Sequence, residues 1–398
     1  MENYFDNFWN GINIPASWYS TDSRRIRGIL KRTCTKTILV FGLLAFAGWS
    51  FNNALGQTKP NVIVGVYYFD GWAGQHRSAN DPNEAWAKNA PSNLSRRMVE
   101  EFSDREPVWG WRDDSQAIME RQIDLAADNG IKYFAFCWYW KDSNGPINPA
   151  AIEKLPMHTS MNLYLKAKNK NRIKFCLLVA NHQGFEIKGT DNWKKATEYW
   201  MQYFNDPQYV KVDGKPLVVI FSPGGIDNES LAGMQEVSKA KGLKNGLSIA
   251  GCGNTADKNF NFKTHYNMNP GYVAGHEEHK YSELIASHEK NWIGTENQPY
   301  IPEITVGWDK RPWEDKSGKG QGGAKEGWYF PNRTPGEFKT FLTDALKWMD
   351  VHPTQTTKER MILLYAWNEL GEGGYLVPTK GDPNASYLKV VRNVVAGK

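Results

Sequence analysis

The sequence predicts a (β/α)8 barrel, also called a TIM barrel, with long βα loops. From residue 57 onward, apolar runs of β type alternate with longer helical patterns, as in a parallel sheet with crossover helices. Eight such runs are present, the number that closes a barrel. Residues 70–112 and 307–334 form predicted loops far longer than usual, and loops of this kind build a substrate cleft.

The eight predicted strands are marked by apolar and β-branched residues, although the sixth is poorly marked. They are residues 62–69, 132–138, 173–180, 216–221, 247–252, 263–268, 300–306 and 361–367. Helical patterns follow at residues 115–129, 159–171, 193–205, 229–241, 281–291, 335–351 and 386–395, with a Gly-Asp-Pro break at 381–383. A doubly wound open sheet is the alternative architecture, but no glycine fingerprint follows the first strand.

The N-terminal residues have the pattern of an export signal. Residues 24–36 hold six basic side chains, an apolar run of twelve residues follows at 37–48, and Ala-Leu-Gly stands at 54–56. Twelve residues are too few for a membrane-spanning helix, which needs about 20, so cleavage near Gly56 is expected. An uncleaved anchor extended through Trp49 and Phe51 is the alternative.

We therefore divide the chain into an N-terminal extension with a signal peptide, residues 1–56, and a single catalytic domain, residues 57–398. The predicted location is secreted or periplasmic, with outer-membrane association left open. No membrane span is expected after removal of the signal. The sequence gives no indication of the oligomeric state.

The composition points toward sugars rather than nucleic acids. Residues 1–56 hold six of the 48 Lys and Arg and three of the 43 Asp and Glu, so the remainder carries a net charge of only +2. A nearly neutral body does not indicate a nucleic-acid partner. The chain also has 17 Trp and 18 Tyr, whose faces stack on sugar rings, although large barrels bury many such residues as core.

No cofactor or metal is expected. Cys34 falls in the predicted signal, while Cys137, Cys176 and Cys252 each lie in an apolar, strand-like run. No Cys-x-x-Cys pair or suitably spaced His accompanies them, so they are interpreted as buried thiols.

Aromatic and polar side chains recur where predicted strands end, which is where barrels carry their chemistry. Hydroxyl groups of a glycan need hydrogen-bonding partners, and sugar rings need aromatic platforms. Each residue alone could equally be core or a helix cap, and His182 could be a structural histidine. The candidate sugar-binding residues are Tyr67, Tyr68, Asp70, Trp138, Tyr139, Trp140, Asn181, His182, Glu303, Trp308, Asp309, Trp367, Asn368 and Tyr375.

Glu369 and Glu372 are the candidate catalytic residues. They stand three apart, with glycines at 371, 373 and 374 that allow a tight turn. Two carboxylates in one cleft push their pKa values apart, which leaves an acid and a base. A solvated acidic loop is the alternative interpretation.

The segment 367–373, Trp-Asn-Glu-Leu-Gly-Glu-Gly, resembles the Asn-Glu-Trp-x-Glu-Gly signature of glycoside hydrolase family 99. It is closer to the family-99-like domains of bacterial polysaccharide gene clusters, which are related to endo-α-mannosidases. Supporting matches are the Tyr67-Tyr68 pair, the helix from 113–115 to 128–131 that leads to 136–140, and Gly-Trp-Asp at 307–309. The resemblance covers nearly all of the chain after residue 60. Leu370 departs from it, since the signature has Trp there, which puts α-mannan specificity in question.

The resemblance implies a retaining, endo-acting glycosidase that needs no metal. In such an enzyme Glu369 takes the proton of the sugar's 2-hydroxyl, which attacks the anomeric carbon, and Glu372 protonates the leaving oxygen. The predicted function is therefore hydrolysis of a polysaccharide or complex glycan. The alternative is a non-catalytic glycan-binding barrel or a protein of polysaccharide assembly.

Overall fold

A computed structural model describes residues 62–293, 298–314 and 325–397. The predicted N-terminal extension and signal peptide, including Cys34, lie outside the described residues.

Eight parallel strands form a nearly closed barrel, as predicted. They are β1 (Ile63–Tyr68), β2 (Ile131–Trp138), β3 (Lys174–Val179), β5 (Lys215–Ile220), β6 (Ser248–Cys252), β7 (Phe262–Thr264), β8 (Glu303–Thr305) and β9 (Met361–Tyr365). Their order in the sheet is β7-β6-β5-β3-β2-β1-β9-β8. The seam between β7 and β8 is held by Lys263, whose N–H donates to the Pro299 carbonyl (3.0 Å) and whose carbonyl accepts from the Ile301 N–H (2.9 Å).

Three short strands were not predicted. β4 (Lys211–Val212) pairs antiparallel with β5 and extends that strand backward as a hairpin. β10 (Asn368–Glu369) and β11 (Gly374–Tyr375) form a second antiparallel hairpin directly after β9. Both candidate catalytic residues lie in this second hairpin, Glu369 in β10 and Glu372 in the turn.

The helices fill the connections between strands. They are α1 (Arg96–Glu100), α2 (Gln116–Asp128), α3 (Pro149–Ile152), α4 (Thr159–Lys166), α5 (Thr190–Phe204), α6 (Asn228–Ala240), α7 (Tyr281–Ile293), α8 (Pro335–Val351) and α9 (Ser386–Val395). All seven predicted helices are present, with α8 and α9 at their predicted bounds. The predicted helix 159–171 is shorter, because α4 ends at Lys166 and only a 3-10 turn, Lys170–Arg172, follows. The short helices α1 and α3 were not predicted.

Side-chain hydroxyl groups cap the N-termini of several of these helices. The Ser115 side chain accepts from the Ile118 N–H at the start of α2, and the Thr334 side chain accepts from the Glu337 N–H at the start of α8. Such caps satisfy N–H groups that have no partner inside the helix. Among the described residues, no helix is long and apolar enough to cross a membrane.

Neighbouring positions on the buried strands point to two different layers. On β2, the Trp138 ring stacks on His158 and meets Trp200 of α5 edge-on, with centroids 5.5 and 5.0 Å away, so it lies in the helix layer. The preceding Cys137 has its Sγ 3.9 Å from the Tyr266 hydroxyl, which follows β7 across the barrel. The alternation of a strand therefore separates packing residues from residues of the barrel interior.

Candidate active site

The hairpin of β10 and β11 places the two candidate glutamates at the carboxyl end of the barrel. Glu369 lies in β10 opposite Gly374, and Glu372 lies in the turn. Gly373 has φ +79°, and a Cβ there would be 2.7 Å from the Asp309 nitrogen. A Cβ at Gly371 would be 2.2 Å from the Trp313 ring. The close approach of other chain segments therefore requires glycine at these two positions.

The Glu369 carboxyl is buried, with the residue only 3% exposed. Its Oε1 accepts a hydrogen bond from the Tyr266 hydroxyl. Its Oε2 has no hydrogen-bond partner among the described residues. Burial raises the pKa of Glu369 well above its usual range, and the charge of Glu372 raises it further.

The Glu372 carboxyl is buried as well, and its Oε2 accepts from the Tyr365 hydroxyl. Burial raises the pKa of Glu372 to about 7, although Tyr365 and Lys310 both favour the ionised form. The two carboxyls interact, so their pKa values belong to the pair and both are raised. The two candidate glutamates thus lie in one buried site.

Lys310 supplies a buried positive charge beside Glu372. Its Nζ donates to the Lys325 carbonyl (2.7 Å) and lies 3.6 Å from Glu314 Oε1. The same Nζ lies 3.7 Å from the centroid of the Tyr272 ring. Burial lowers the pKa of Lys310 to about 8, and the charges of Glu314 and Glu372 oppose that shift.

Tyr266 is the centre of an aromatic cluster that joins several strand ends. Its ring centroid lies 4.8 Å from that of Tyr67, 5.2 Å from Phe221 and 4.9 Å from Tyr365. The Tyr67 hydroxyl in turn donates to the His265 carbonyl (2.8 Å). Two members of the cluster, Tyr266 and Tyr365, are thus the hydrogen-bond partners of the two glutamates.

Sequence reasoning missed Tyr266, Tyr365, Lys310 and Tyr272. Tyr266 and Tyr365 lie inside segments predicted as strands, where an aromatic residue is ordinary core. Lys310 directly follows the Gly-Trp-Asp segment that the sequence singled out. Its place next to that segment is the sequence feature that could have identified it.

Part of the predicted binding set packs against the tyrosines that bond to the carboxyl pair, or lies near Glu369. Besides Tyr67, these are Trp308, whose ring lies 6.1 Å from Tyr365, and Tyr139, whose pKa is raised by burial and, to a lesser degree, by the charge of Glu369. His182 meets the Tyr139 ring edge-on at 6.3 Å. Burial lowers the pKa of His182 to about 4, so the ring is neutral at physiological pH.

Three predicted aromatic residues belong instead to the helix layer. Trp138 packs against α5, as described above. The Tyr68 hydroxyl donates to Asp113 (2.9 Å) and to Gln122 (3.2 Å). The Trp367 indole N–H also donates to Gln122 (2.6 Å). Tyr68 and Trp367 thus bond to helix α2, Trp138 packs against α5, and none of the three faces the glutamates.

Three predicted polar residues form hydrogen bonds to backbone groups near the strand ends. Asp70 accepts from the N–H groups of Ser160 (3.0 Å) and Met161 (3.1 Å) in the first turn of α4, and burial raises its pKa to about 6. Asn181 exchanges two hydrogen bonds with the Ser222 backbone (2.8 and 2.9 Å). Asn368 does the same with the Phe69 backbone (2.8 and 2.9 Å). Their polar atoms are occupied by the protein itself.

The remaining predicted residues have separate surroundings. The Asp309 carboxylate is paired with Arg105 and Arg311, although its N–H donates to the Glu372 carbonyl (2.6 Å). Glu303 is fully buried against His288 of α7. Trp140 is buried, and its indole N–H has no partner among the described residues. Tyr375 lies under the Arg333 guanidinium, 4.3 Å from its ring centroid.

The residue that departs from the family signature is also buried. Leu370 has no exposed surface, and its carbonyl accepts from the Arg105 side chain (3.1 Å). In this chain, position 370 therefore serves packing.

Within the described ranges, no group of three or more His, Cys, Asp or Glu is arranged to hold a metal ion.

A sequence model of the family described as glycosyltransferase WbsX matches residues 111–391. The chain belongs to this family. No curated protein matches the sequence. The family and the structures below agree with the family-99-like domain that the sequence predicted.

Solved structures with the same fold include glycoside hydrolases. The family 99 endo-α-mannosidase of Bacteroides thetaiotaomicron, in complex with bis-tris propane, matches at 15% identity and a TM-score of 0.54, covering 84% of this chain and 96% of that one. A glycoside hydrolase-like protein matches at 16% identity and a TM-score of 0.54, covering 84% and 94%. The WbsX-family chain thus has a glycoside hydrolase-like barrel.

Proposed function

We propose that this protein is a retaining glycoside hydrolase that cleaves a polysaccharide or complex glycan, with Glu369 and Glu372 as its catalytic pair. The observation that carries the proposal is the pair itself. Two buried carboxyls lie on one hairpin at the carboxyl end of a barrel, each held by one tyrosine and each with a raised pKa. Such tuning is typical of acid and base catalysts.

Both glutamates on one short hairpin suit an acid and a base better than an acid and a nucleophile. An ordinary retaining pair flanks the anomeric carbon with carboxyls ~5–5.5 Å apart, and the second carboxyl attacks that carbon. Here Tyr266 holds one oxygen of Glu369, and the second oxygen is left for a substrate hydroxyl. The arrangement therefore favours participation of the sugar's own 2-hydroxyl.

In the first half-reaction, Glu369 accepts the proton of the 2-hydroxyl and the freed oxygen attacks the anomeric carbon. The glycosidic bond breaks as Glu372 gives its proton to the leaving oxygen. In the second, Glu372 takes a proton from water, whose oxygen attacks the anomeric carbon. The ring that O2 formed with the anomeric carbon opens, and Glu369 returns its proton to O2. Two inversions give net retention, and one water is consumed.

The glycan would lie against the side chains that surround the pair. We assign sugar contacts to Tyr139, His182 and Trp308, because aromatic faces and a neutral imidazole suit sugar rings and hydroxyls. We further propose that the protein is exported, since residues 24–56 have the pattern of a signal peptide. An exported hydrolase would act on glycans outside the cytoplasm.

A second candidate function is glycosyl transfer, which the family description favours. The first half-reaction would be the same, but an acceptor hydroxyl would replace water in the second. Product analysis separates the two functions, because hydrolysis releases reducing ends and transfer lengthens the acceptor.

The test uses the full-length protein and a panel of bacterial and plant polysaccharides and α-mannans, with and without oligosaccharide acceptors. Glu369→Gln and Glu372→Gln serve as paired variants. Release of oligosaccharides that is lost in both variants supports hydrolysis, and longer products only with acceptors support transfer. Activity that survives in both variants would contradict the assigned pair, and binding without turnover would favour a glycan-binding barrel.

A further inference from the structure

Asp113 is a buried carboxylate that takes no part in the proposed reaction but bonds to the residue before Glu369. It is 3% exposed and lies just before α2. Its Oδ2 accepts from the Asn368 side-chain amide (3.3 Å) and from the Tyr68 hydroxyl (2.9 Å). Its Oδ1 accepts from the Ser160 hydroxyl (3.2 Å). Donors from three different segments of the chain therefore converge on one side chain.

The Asn368 side chain has a fixed orientation. Its Oδ1 accepts from the Phe69 N–H (2.8 Å) and its Nδ2 donates to the Phe69 carbonyl (2.9 Å), so the amide group pairs with the backbone just past β1. These bonds leave one hydrogen on Nδ2, and that hydrogen reaches Asp113. A flipped amide would break both bonds to Phe69, so the group at position 113 must be an acceptor.

A second connection joins the same two residues through Trp72. The Asp113 N–H donates to the Trp72 carbonyl (3.3 Å), and the Trp72 indole N–H donates to the Asn368 carbonyl (2.8 Å). Together with the side-chain bond, these contacts form a closed ring between the segment before α2 and the start of β10. Asn368 cannot move without leaving buried donors unpaired, which costs free energy.

We propose that Asp113 is a positioning residue for Glu369 and acts through Asn368. The two hairpin residues are consecutive in β10, so a displacement of Asn368 moves Glu369. Removal of the proton from the sugar's 2-hydroxyl requires a fixed position of the Glu369 carboxyl, because small misplacements of a catalytic group are costly. The inference rests on the proposed function, since it concerns the carboxyl assigned there as the base.

This role requires acceptor oxygens at position 113 rather than a negative charge. Burial raises the pKa of Asp113 to about 7, and the charge of Asp70 contributes to the rise. In Asp113→Asn, the amide oxygen can take the place of Oδ2, and the amide nitrogen can donate to Ser160 Oγ. Asp113→Leu keeps the branched shape but has no acceptor. The two variants therefore separate the hydrogen bonds from the shape of the residue.

The first measurement is hydrogen exchange of the full-length protein, read by mass spectrometry in the peptides that cover residues 366–377. In that segment the Leu370 N–H donates to the Asn368 carbonyl (2.8 Å). For Asp113→Leu we expect about tenfold faster exchange there, as the loss of one hydrogen bond from a locally opening segment gives, and for Asp113→Asn less than about twofold. No substrate is needed, so a failed hydrolysis assay and a failed connection are distinguishable.

The second measurement is the rate of glycan hydrolysis. We expect Asp113→Leu to lower kcat about 10²-fold and to leave KM within about threefold, because Glu369 is misplaced while the residues assigned to sugar contacts are not. Asp113→Asn should restore kcat to within about threefold of the wild-type value. Faster exchange in Asp113→Leu with an unchanged kcat would overturn the proposal, since the bond would then hold the hairpin without positioning Glu369.

Tyr164→Phe is the control, because it removes a buried hydroxyl that donates to the Ile173 carbonyl (2.7 Å). If Asp113→Leu does not fold, Asn368→Asp cuts the same connection from the other side, since its carboxylate has no N–H to donate. A folded Asp113→Leu or Asn368→Asp variant with wild-type exchange at residues 366–377 would overturn the proposal. Equal acceleration in Asp113→Asn or in Tyr164→Phe would do the same.

Discussion

Glu369 and Glu372 have different surroundings although they are three residues apart. Lys310 favours a negative Glu372, and the charge of Glu372 raises the pKa of Glu369. The proposed reaction needs the proton on Glu372 once the glycan is bound. The assignment of roles can therefore be tested by kinetics.

Replacing the acid should be tolerated when the leaving group needs no proton. On an aryl glycoside with a good leaving group, we expect Glu372→Gln to keep the rate of bond cleavage within about tenfold, whereas Glu369→Gln loses roughly 10²–10⁴-fold. The measurement is the burst of released phenol in both variants. The reverse pattern would exchange the two roles.

Glu369→Gln should stabilise the fold at neutral and higher pH. Because burial raises its pKa, folded Glu369 holds its proton more tightly than in the unfolded chain. That contribution is fully present below the unfolded pKa of about 4.3 and is lost as pH rises toward the folded pKa. Glutamine has no charge to bury, so the gain should be near zero at pH 4 and roughly 1–2 kcal/mol at pH 8.

Thermal unfolding of both proteins at the two pH values measures this difference. Glu153→Gln, at an exposed helix end, is the matched control. An equal difference at pH 4 and pH 8 would show that burial of the Glu369 charge does not limit stability.

At the scale of elements, the β10–β11 hairpin is shaped by the segment that follows β8. A Cβ at Gly373 would meet the Asp309 nitrogen, and one at Gly374 would lie 2.2 Å from the Tyr365 ring. Arg105 joins that segment to the hairpin, because it pairs with the buried Asp309 carboxylate and donates to the Leu370 carbonyl (3.1 Å). The position of both glutamates therefore depends on contacts between two loops.

Gly373→Ala should lower the free energy of unfolding by more than the strain of a positive φ alone explains. We expect about 1 kcal/mol from the left-handed conformation and roughly 1–3 kcal/mol more from the displaced Asp309 segment, with loss of activity in the folded protein. Gly110→Ala is the matched control, because Gly110 has φ +92° and nothing within 4 Å of its Cβ position. Denaturant unfolding gives the free energies, and similar costs for both variants would contradict this account of the hairpin.

At the scale of the whole molecule, the barrel and the predicted export signal belong to separate parts of the chain. Production of the full-length chain in a Gram-negative host should yield periplasmic protein whose first residue is Gln57. Mass spectrometry of the N-terminus is the measurement. A Leu43→Asp, Leu44→Asp variant breaks the apolar run and should remain in the cytoplasm. Recovery of uncleaved protein in the membrane fraction would favour the anchor instead.

The eight barrel strands, seven helices and the turn between Glu369 and Glu372 could be predicted from the sequence alone. Strand and helix patterns depend on neighbouring residues in the sequence, and the glycines around the two glutamates indicate a tight turn. The hairpin that carries the pair was not predicted, since two-residue strands have no periodicity to recognise. The poorly marked sixth strand is correspondingly short, from Phe262 to Thr264.

Which side of each strand faces the glutamates depends on the tertiary fold. Parallel barrel strands are buried on both faces, so their sequence does not show that Tyr68 and Trp138 face helices while Tyr67 faces Tyr266. The same holds for Glu303, which sequence reasoning placed with the sugar and the fold buries against His288. Partners from distant strands meet only when the barrel closes, and closure is a property of the whole chain.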